Sequence, residues 1–407
     1  MKKIWFYLII VMLLVSCSDE IPENPAKTEG RTLLAYIVSN NNPNADLDRF
    51  LKANVVDMYK GLSASKESKT LLVYYRPKIG DKSLESPSIL KYVTDGKGKI
   101  NGRKVLSEDK INVADLVINE AEIHPYENHV ATDPKVMVRV LQDMVKLAPS
   151  DSYGLTMGSH GTGWLPGNPV KGRSFGDDSN YNINIPELAN SLRSAFAGKQ
   201  LDYVLFDACM MANAEVAYEL RDVTDHIIAS VLETPVYGFP YSRILSDLYS
   251  KDVDYQQICD EFIEFNRQQD AWGTCAVIDC SKMDKLAAWV KVNLAAYKDR
   301  YVPNFYKQVF QYGGPYFRNY SYDVVDVFRQ LKGEEPTDLQ FLMTEVVIAK
   351  NCLEGPLYEF GGVVIDKNRF SGMGMYLPFQ IRKSSWDSYF ISSLAWAKAV
   401  EWNNYHP

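Results

Sequence analysis

Two stretches of the sequence end in side chains able to do covalent chemistry: Tyr153-Gly-Leu-Thr-Met-Gly-Ser-His160-Gly-Thr-Gly-Trp164 and Leu201-Asp-Tyr-Val-Leu-Phe-Asp207-Ala-Cys209-Met-Met. A thiolate attacks carbonyl carbon, and an imidazole can take the thiol proton and later return it to a leaving amine. Cys209 is therefore the candidate nucleophile and His160 the candidate base. Gly161 has no side chain to obstruct its amide, so the amides of Gly161 and Cys209 are the expected donors to the oxyanion of a tetrahedral intermediate. Met211 to Leu220 has a helical pattern, which would place Cys209 where a strand passes into a helix. A helix amino end and a nearby imidazole each lower a thiol pKa.

Such a pair needs elements that bring it together across about fifty residues of chain. Both stretches are apolar, β-prone runs that stop abruptly at the reactive residue, the pattern of buried parallel strands that deliver side chains to the carboxyl edge of a sheet. Ligands bind beyond that edge in open α/β sheets. Gly163 allows a tight turn under Trp164, which is expected to wall the cleft. A Cys at a strand end also serves as a small core residue and a His before Gly as a loop residue; it is the occurrence of both, each at the end of its own strand, that points to chemistry.

The surrounding pattern fits a parallel sheet with helices on its faces. Thr32 to Val38 reads as a strand, Leu47 to Tyr59 as a helix, and Thr70 to Tyr75 as the next strand. Residues 76 to 130 are polar with short strand-like pieces. His124 and His129 lie there among Glu122 and Glu127, and with no helix to align them a solvated loop is favoured over a metal site. Asp133-Pro134 opens a helix leading to the His160 strand. The Gly- and Pro-rich stretch from Trp164 to Ile185 is long enough to be functional or mobile. Helices are expected over Pro186 to Phe196, Tyr255 to Phe265, Met283 to Tyr297 and Thr337 to Ala349. Strands are expected over His226 to Ser230, Thr274 to Ile278, Gly361 to Ile365 and Gly374 to Leu377.

The 407 residues, 23% charged and 46% hydrophobic, suit one large α/β core with an extension. A net charge of -7 argues against nucleic acid, whose footprint is basic. Lys2 and Lys3 precede an apolar run from Ile4 to Val15 too short to span a bilayer comfortably. Leu14-Val15-Ser16-Cys17 then resembles a bacterial lipobox, so residues 1–17 read as a lipoprotein signal ending at a lipidated Cys17. Residues 18–30 read as a flexible tether, and Ser18-Asp19-Glu20 resembles an export tag for surface lipoproteins. A location on the outer membrane, held only through the lipid, follows. Residues 31–245 form the expected catalytic domain and 246–407 an α/β region packed on it, in a monomer. Cys259, Cys275, Cys280 and Cys352 lack zinc-site spacing and are expected as buried free thiols.

His-Gly-Thr-Gly-Trp164 with Asp-Ala-Cys209-Met-Met resembles the clostripain family of cysteine peptidases, in the caspase-like clan. Looser matches are the Asn-rich end of the first strand, the Asp-Pro helix start, Asp177-Asp178, and Glu233-Thr-Pro235 with Gly238-Phe-Pro240. The resemblance implies a caspase-type three-layer α/β/α sandwich with a mostly parallel sheet, and an endopeptidase acting on proteins or peptides after Arg or Lys. It makes His160 and Cys209 the dyad and puts Asp207, two before the Cys, in the pocket for the basic side chain. Strand alternation would place Asp207 on the Cys209 face. Glu233 would add charge at the pocket mouth. Activation by cleavage after Lys171 or Arg173 is implied, and no cofactor is required, although some members use calcium, for which Asp177 and Asp178 are candidate ligands. Only one acid precedes Pro235, and Phe239 stands where the family commonly has Trp.

Two other functions use the same residues differently. A non-catalytic surface binding lipoprotein would use the 26 tyrosines, as in Tyr312 to Tyr322, to capture glycan or peptide. A transpeptidase or ligase of the same clan would pass the acyl group to an amine instead of water.

Overall fold

The computed structural model describes residues 27–40, 47–167, 174–197, 201–312, 321–357, 363–380 and 384–405. Cys17, Lys171 and Arg173 lie outside the described residues. The first half holds β1 (Thr28–Val38), α1 (Asp48–Ala64), β2 (Ser68–Arg76), β3 (Ser88–Asp95), β4 (Lys99–Ile100), β5 (Arg103–Lys104), α2 (Ala114–Asn119), β6 (Glu122–Pro125), α3 (Pro134–Leu147) and β7 (Ser150–Gly158). Next come β8 (Phe175–Asp178), β9 (Tyr181–Ile183), α4 (Ile185–Ala195), β10 (Leu201–Asp207), α5 (Ala214–Leu220), β11 (Thr224–Ala229), α6 (Tyr241–Tyr249), α7 (Tyr255–Gln268), β12 (Thr274–Asp279) and α8 (Met283–Ala296). The remainder is β13 (Tyr322–Asp323), α9 (Val324–Lys332), α10 (Thr337–Val346), β14 (Val347–Cys352), β15 (Gly355–Leu357), β16 (Val363–Ile365), β17 (Gly374–Met375), α11 (Ser384–Ser393) and α12 (Ala395–Val400).

Five parallel strands, in the order β11-β10-β7-β1-β2, make the centre of the sheet. Antiparallel strands extend both ends: β12 and β14 beyond β11, and β3 with its partners β4, β5 and β6 beyond β2. Helices α1, α2, α6 and α7 cover one face through Leu33, Ala35 and Ile37, while α3, α4, α5, α8 and the later helices cover the other through Leu34, Tyr36 and Val38. This is the expected three-layer α/β/α sandwich. The chain leaves β1 toward β2 on one side and reaches β7 on the other, so a topological switch lies between β1 and β7.

Local chemistry explains the element starts. Asp133 accepts from the amides of Lys135 and Val136 with Pro134 at the first helical position, so α3 begins where a cap and a preset φ coincide. Asn184 and Glu187 form a reciprocal capping box at α4. Residues after 245 do not stand apart. Position 245 falls inside α6, β12 and β14 join the same sheet, and both cores include residues from each side of it. The polar 76–130 stretch supplies the antiparallel edge, and the Trp164–Ile185 stretch contains the β8–β9 hairpin. Thr337 to Ala349 is helical only to Val346, after which β14 begins.

Candidate active site

Strands β7 and β10 are neighbours in parallel register, with Asp207 opposite Gly158. The Ser159 amide continues the ladder to the Asp207 carbonyl at 3.3 Å. His160 and Cys209 thus stand two residues beyond the same rung, each half-buried. What holds them there is the apolar run behind them: Leu155, Met157, Val204, Leu205 and Phe206 have no exposure to solvent. With both faces buried, a slip in register would move whole sets of side chains, so the rung is well specified.

Past His160 the chain runs antiparallel to β8. The Gly176 amide donates to the His160 carbonyl (2.9 Å) and the Thr162 amide to the Ser174 carbonyl (3.2 Å). These two bonds flank Gly161, which pairs with Phe175 without bonding it, so the Gly161 N–H faces away from β8. Gly161 also lies against the nucleophile's backbone. A methyl group added there would stand 2.8 Å from the Cys209 carbonyl oxygen and 3.1 Å from Ala208 Cβ. Glycine at 161 is therefore demanded by close approach as well as by access to its amide.

β8 is itself anchored. Asp178 accepts from Arg76 Nε (2.9 Å), the Ala131 amide (2.7 Å) and Asn40 Nδ2, which ties the hairpin to the ends of β1 and β2. The Asp177 amide reaches Ser159 Oγ at 3.3 Å, and Asp177 Oδ1 accepts from the Asn180 amide at 3.0 Å. Both candidate calcium ligands thus serve the hairpin, and among the described residues no group of three or more His, Cys, Asp or Glu is gathered for a metal. His129 accepts or donates a 2.7 Å bond with Tyr74 Oη, and burial with nearby Arg139 and Arg76 pulls its pKa down to about 4. His124 pairs with Glu122 on β6.

The surroundings of Cys209 differ from the helix-junction expectation. α5 begins only at Ala214, capped by the Asn213 side chain on the Val216 amide. Between them the chain passes through Met210 at φ 60°, a conformation L-residues seldom adopt, held by its amide on Leu232 O (2.8 Å) and by Ala212 N on Ser230 O (3.0 Å). Cys209 is thus on a tight turn and gains no helix-end stabilisation. Burial pushes its thiol up to about 12, with the charges of Glu233 and Asp207 adding to the rise. Sγ lies 3.9 Å from the Thr234 carbonyl.

Asp207 also departs from expectation. Its carboxylate continues the Tyr203–Leu205 side of β10 toward α1 and α6, where Oδ2 accepts from Asn54 Nδ2 and Tyr241 Oη, both at 2.9 Å. Cys209 lies beyond the strand end and packs on the opposite core, so alternation along the strand does not relate the two. They remain close enough for the Asp207 charge to raise the thiol. Burial pushes Asp207 itself up to about 6. Glu233 is half-buried and likewise raised by burial.

Trp164 does not wall the cleft. It is wholly buried, its ring 4.6 Å from Tyr376 and 5.4 Å from Phe390, and it pins the residues after 370 to the His loop. Those residues also brace the turn after Cys209: the Gly374 amide donates to Ala212 O (3.1 Å), and the Tyr376 amide to Glu215 Oε1 (2.8 Å). Asn54, Tyr241, Arg76 and Glu215 were not marked by the motifs. Asn54 carried a readable signal, a polar residue inside the apolar stripe Leu51, Val55, Met58 of α1. Cys259, Cys275, Cys280 and Cys352 are buried free thiols.

Comparison with known proteins agrees with this geometry. The sequence model of the clostripain family matches residues 35–406. Clostripain from Hathewaya histolytica is 32% identical over 126 residues, which span 28% of this chain and 23% of that protein. A secreted C11 cysteine protease from Bacteroides thetaiotaomicron, solved with an irreversible peptide inhibitor, is similar over 92% of this chain and 99% of its own, at 25% identity and a TM-score of 0.72. An inactive zymogen C11 protease from Parabacteroides distasonis shares the fold over 92% of this chain and 99% of its own, at 24% identity and a TM-score of 0.67. By the extent of the family match, the chain belongs to the clostripain family.

Proposed function

We propose that the protein is an exported cysteine endopeptidase that cuts peptide bonds after Arg or Lys. The observation that supports this reading is the shared rung at Gly158 and Asp207, two residues before His160 and Cys209, with the Gly161 amide turned away from β8. His160 takes the Cys209 proton as Sγ attacks the scissile carbonyl, and the Gly161 and Cys209 amides receive the oxyanion. His160 then protonates the departing amine and activates the water that frees the acyl group. A thiol held near 12 is not a resting thiolate. Burial is the main reason, and a cationic side chain arriving at Asp207 offsets one of the two carboxylate charges that add to it.

Further parts of the same reading are lipid attachment through Cys17 and self-activation by a cut after Lys171 or Arg173 in the segment joining β7 to β8. The test uses fluorogenic Arg and Lys peptides and intact-mass spectrometry on wild type and Cys209→Ala. Turnover, and a cut at Lys171 or Arg173, are expected in wild type only. A wild-type protein silent on these peptides even after the segment has been cut with another protease overturns the proposal.

A further inference from the structure

The turn that carries Cys209 is held from two sides. On one, the carbonyls of Leu232 and Ser230 take the amides of Met210 and Ala212. On the other lies β17, where Gly374 bridges Asn213 in parallel and its amide donates to the Ala212 carbonyl at 3.1 Å. The far edge of β17 is fixed by β13, with Tyr322 opposite Met375. Asn213 ties the turn to α5: Nδ2 donates to the Met210 carbonyl (2.8 Å), and Oδ1 accepts the Val216 amide (3.0 Å).

Glu215, in the first turn of α5, reaches back to the same segment. It has no exposure to solvent, Oε1 accepts the Tyr376 amide at 2.8 Å, and Oε2 has no hydrogen-bond partner among the described residues. Burial pushes its carboxyl up to about 7, with the amides of Tyr376 and of Glu215 itself opposing the rise. An apolar side chain would avoid that desolvation. A core that keeps a half-satisfied carboxyl beside a reactive turn keeps it for what it holds. One helical turn on, Glu219 accepts the Ala395 amide and is likewise raised by burial, with Arg221, Lys398 and Arg193 opposing. Its bond goes to α12 and not to the segment beside the turn.

We infer that Glu215 is a positioning residue for the nucleophile: its bond to Tyr376 locks β17 against the 209–213 turn and so fixes the Cys209 amide and thiol for the transition state. The inference rests on the endopeptidase reading and adds to it that residues 374–376, more than 160 positions after the Cys, are part of the working site. The path is short. Tyr376 holds Glu215, α5 holds Asn213, and Asn213 holds the Met210 carbonyl, one residue past Cys209. Met210, at φ 60°, is in a conformation that persists only while its surroundings enforce it. An amide that receives an oxyanion gains most from being fixed beforehand.

The experiment measures kcat and KM on a fluorogenic Arg peptide, per active site counted by burst titration, for wild type, Glu215→Gln, Glu215→Leu and Glu219→Leu. Gln keeps an acceptor for the Tyr376 amide, whereas Leu fills the space without one. In Glu215→Leu, kcat is expected to fall at least about tenfold with KM within about threefold of wild type, the split that follows when only the transition state loses support. Glu215→Gln should keep kcat within about threefold of wild type. Glu219→Leu should lower the melting temperature and leave kcat per titrated site within about twofold of wild type. If Glu215→Leu does not fold, Glu215→Asp, too short to reach Tyr376, is read in its place. Amide exchange in the wild type reads the bond directly, and slow exchange at Tyr376 is expected. Undiminished kcat in the Leu or Asp variant, an equal loss in Gln and Leu, or rapid exchange at Tyr376 overturns the inference. Alkylation of Cys209 by iodoacetamide, followed by peptide mass spectrometry, needs no substrate, and Glu215→Leu should speed it at least about threefold as the turn loosens. A wild type silent on Arg and Lys peptides therefore removes the endopeptidase reading alone, and an alkylation rate unchanged in Glu215→Leu removes the role of Glu215 alone.

Discussion

Asp178 and Asp207 are both buried carboxylates above the carboxyl edge of one sheet, 1% and 7% exposed. The chain treats them differently. Asp178 meets Arg76, itself 5% exposed, together with Asn40 and the Ala131 amide. Asp207 meets the Asn54 amide, the Tyr241 phenol and the Phe239 backbone, all neutral, and burial takes its pKa up to about 6. A buried charge with its counter-charge in the fold is a fastener. A buried charge given neutral donors only is held in place but left electrically incomplete, a state that persists where function rather than stability selects it.

The contrast can be broken most forcefully at Asp178. Asp178→Asn leaves the Arg76 guanidinium buried without its partner and should destabilise the protein by about 3–5 kcal/mol in urea unfolding. Arg76→Gln with Asp178→Asn removes both charges and should recover much of that loss; no recovery would mean that the pair is not what anchors β8. At Asp207 the sign reverses. A folded-state pKa above the unfolded value means the folded protein binds the extra proton, so stability falls as pH rises through the interval from about 4 to 6. Asp207→Asn should therefore be more stable than wild type by roughly 2–3 kcal/mol above pH 7, with the difference vanishing near pH 4. Equal melting temperatures at pH 8 would show that Asp207 carries no unmet charge. A smaller effect is expected at Glu233, whose charge adds to the rise of the Cys209 thiol. Glu233→Gln should speed alkylation by iodoacetamide at pH 8 several-fold, and an unchanged rate would place Glu233 away from the thiol's field.

These side chains also show which parts of the molecule could be read in the sequence. β1, β7 and β10 were legible because strands buried on both faces need continuous apolar runs, and His160 and Cys209 were legible as the places where two such runs stop. Asp133-Pro134 marked α3 by local cap chemistry. Of the strands β3 to β6, only short strand-like pieces were legible, since a partly exposed antiparallel edge needs no long apolar run. The start of α5 was misplaced because Met211 and Ala212 look helical, yet the carbonyls of Leu232 and Ser230 claim the amides of Met210 and Ala212. Trp164 misled for a similar reason: its partners lie more than 200 positions away, in α11 and the chain before it. Asn54 and Tyr241 reach Asp207 from 153 and 34 positions off, across helices whose approach no short motif records.

The order of strands has one more consequence. Lys171 and Arg173 fall between β7 and β10, so a cut there would leave His160 and Cys209 on separate polypeptides. Their alignment would then rest on noncovalent pairing alone, from Tyr203 opposite Gly154 to Asp207 opposite Gly158, with Asp178 of the second fragment still fastened to Arg76 of the first. The mature enzyme would be a heterodimer made from one gene product, and its two pieces, produced apart, should assemble into a working enzyme.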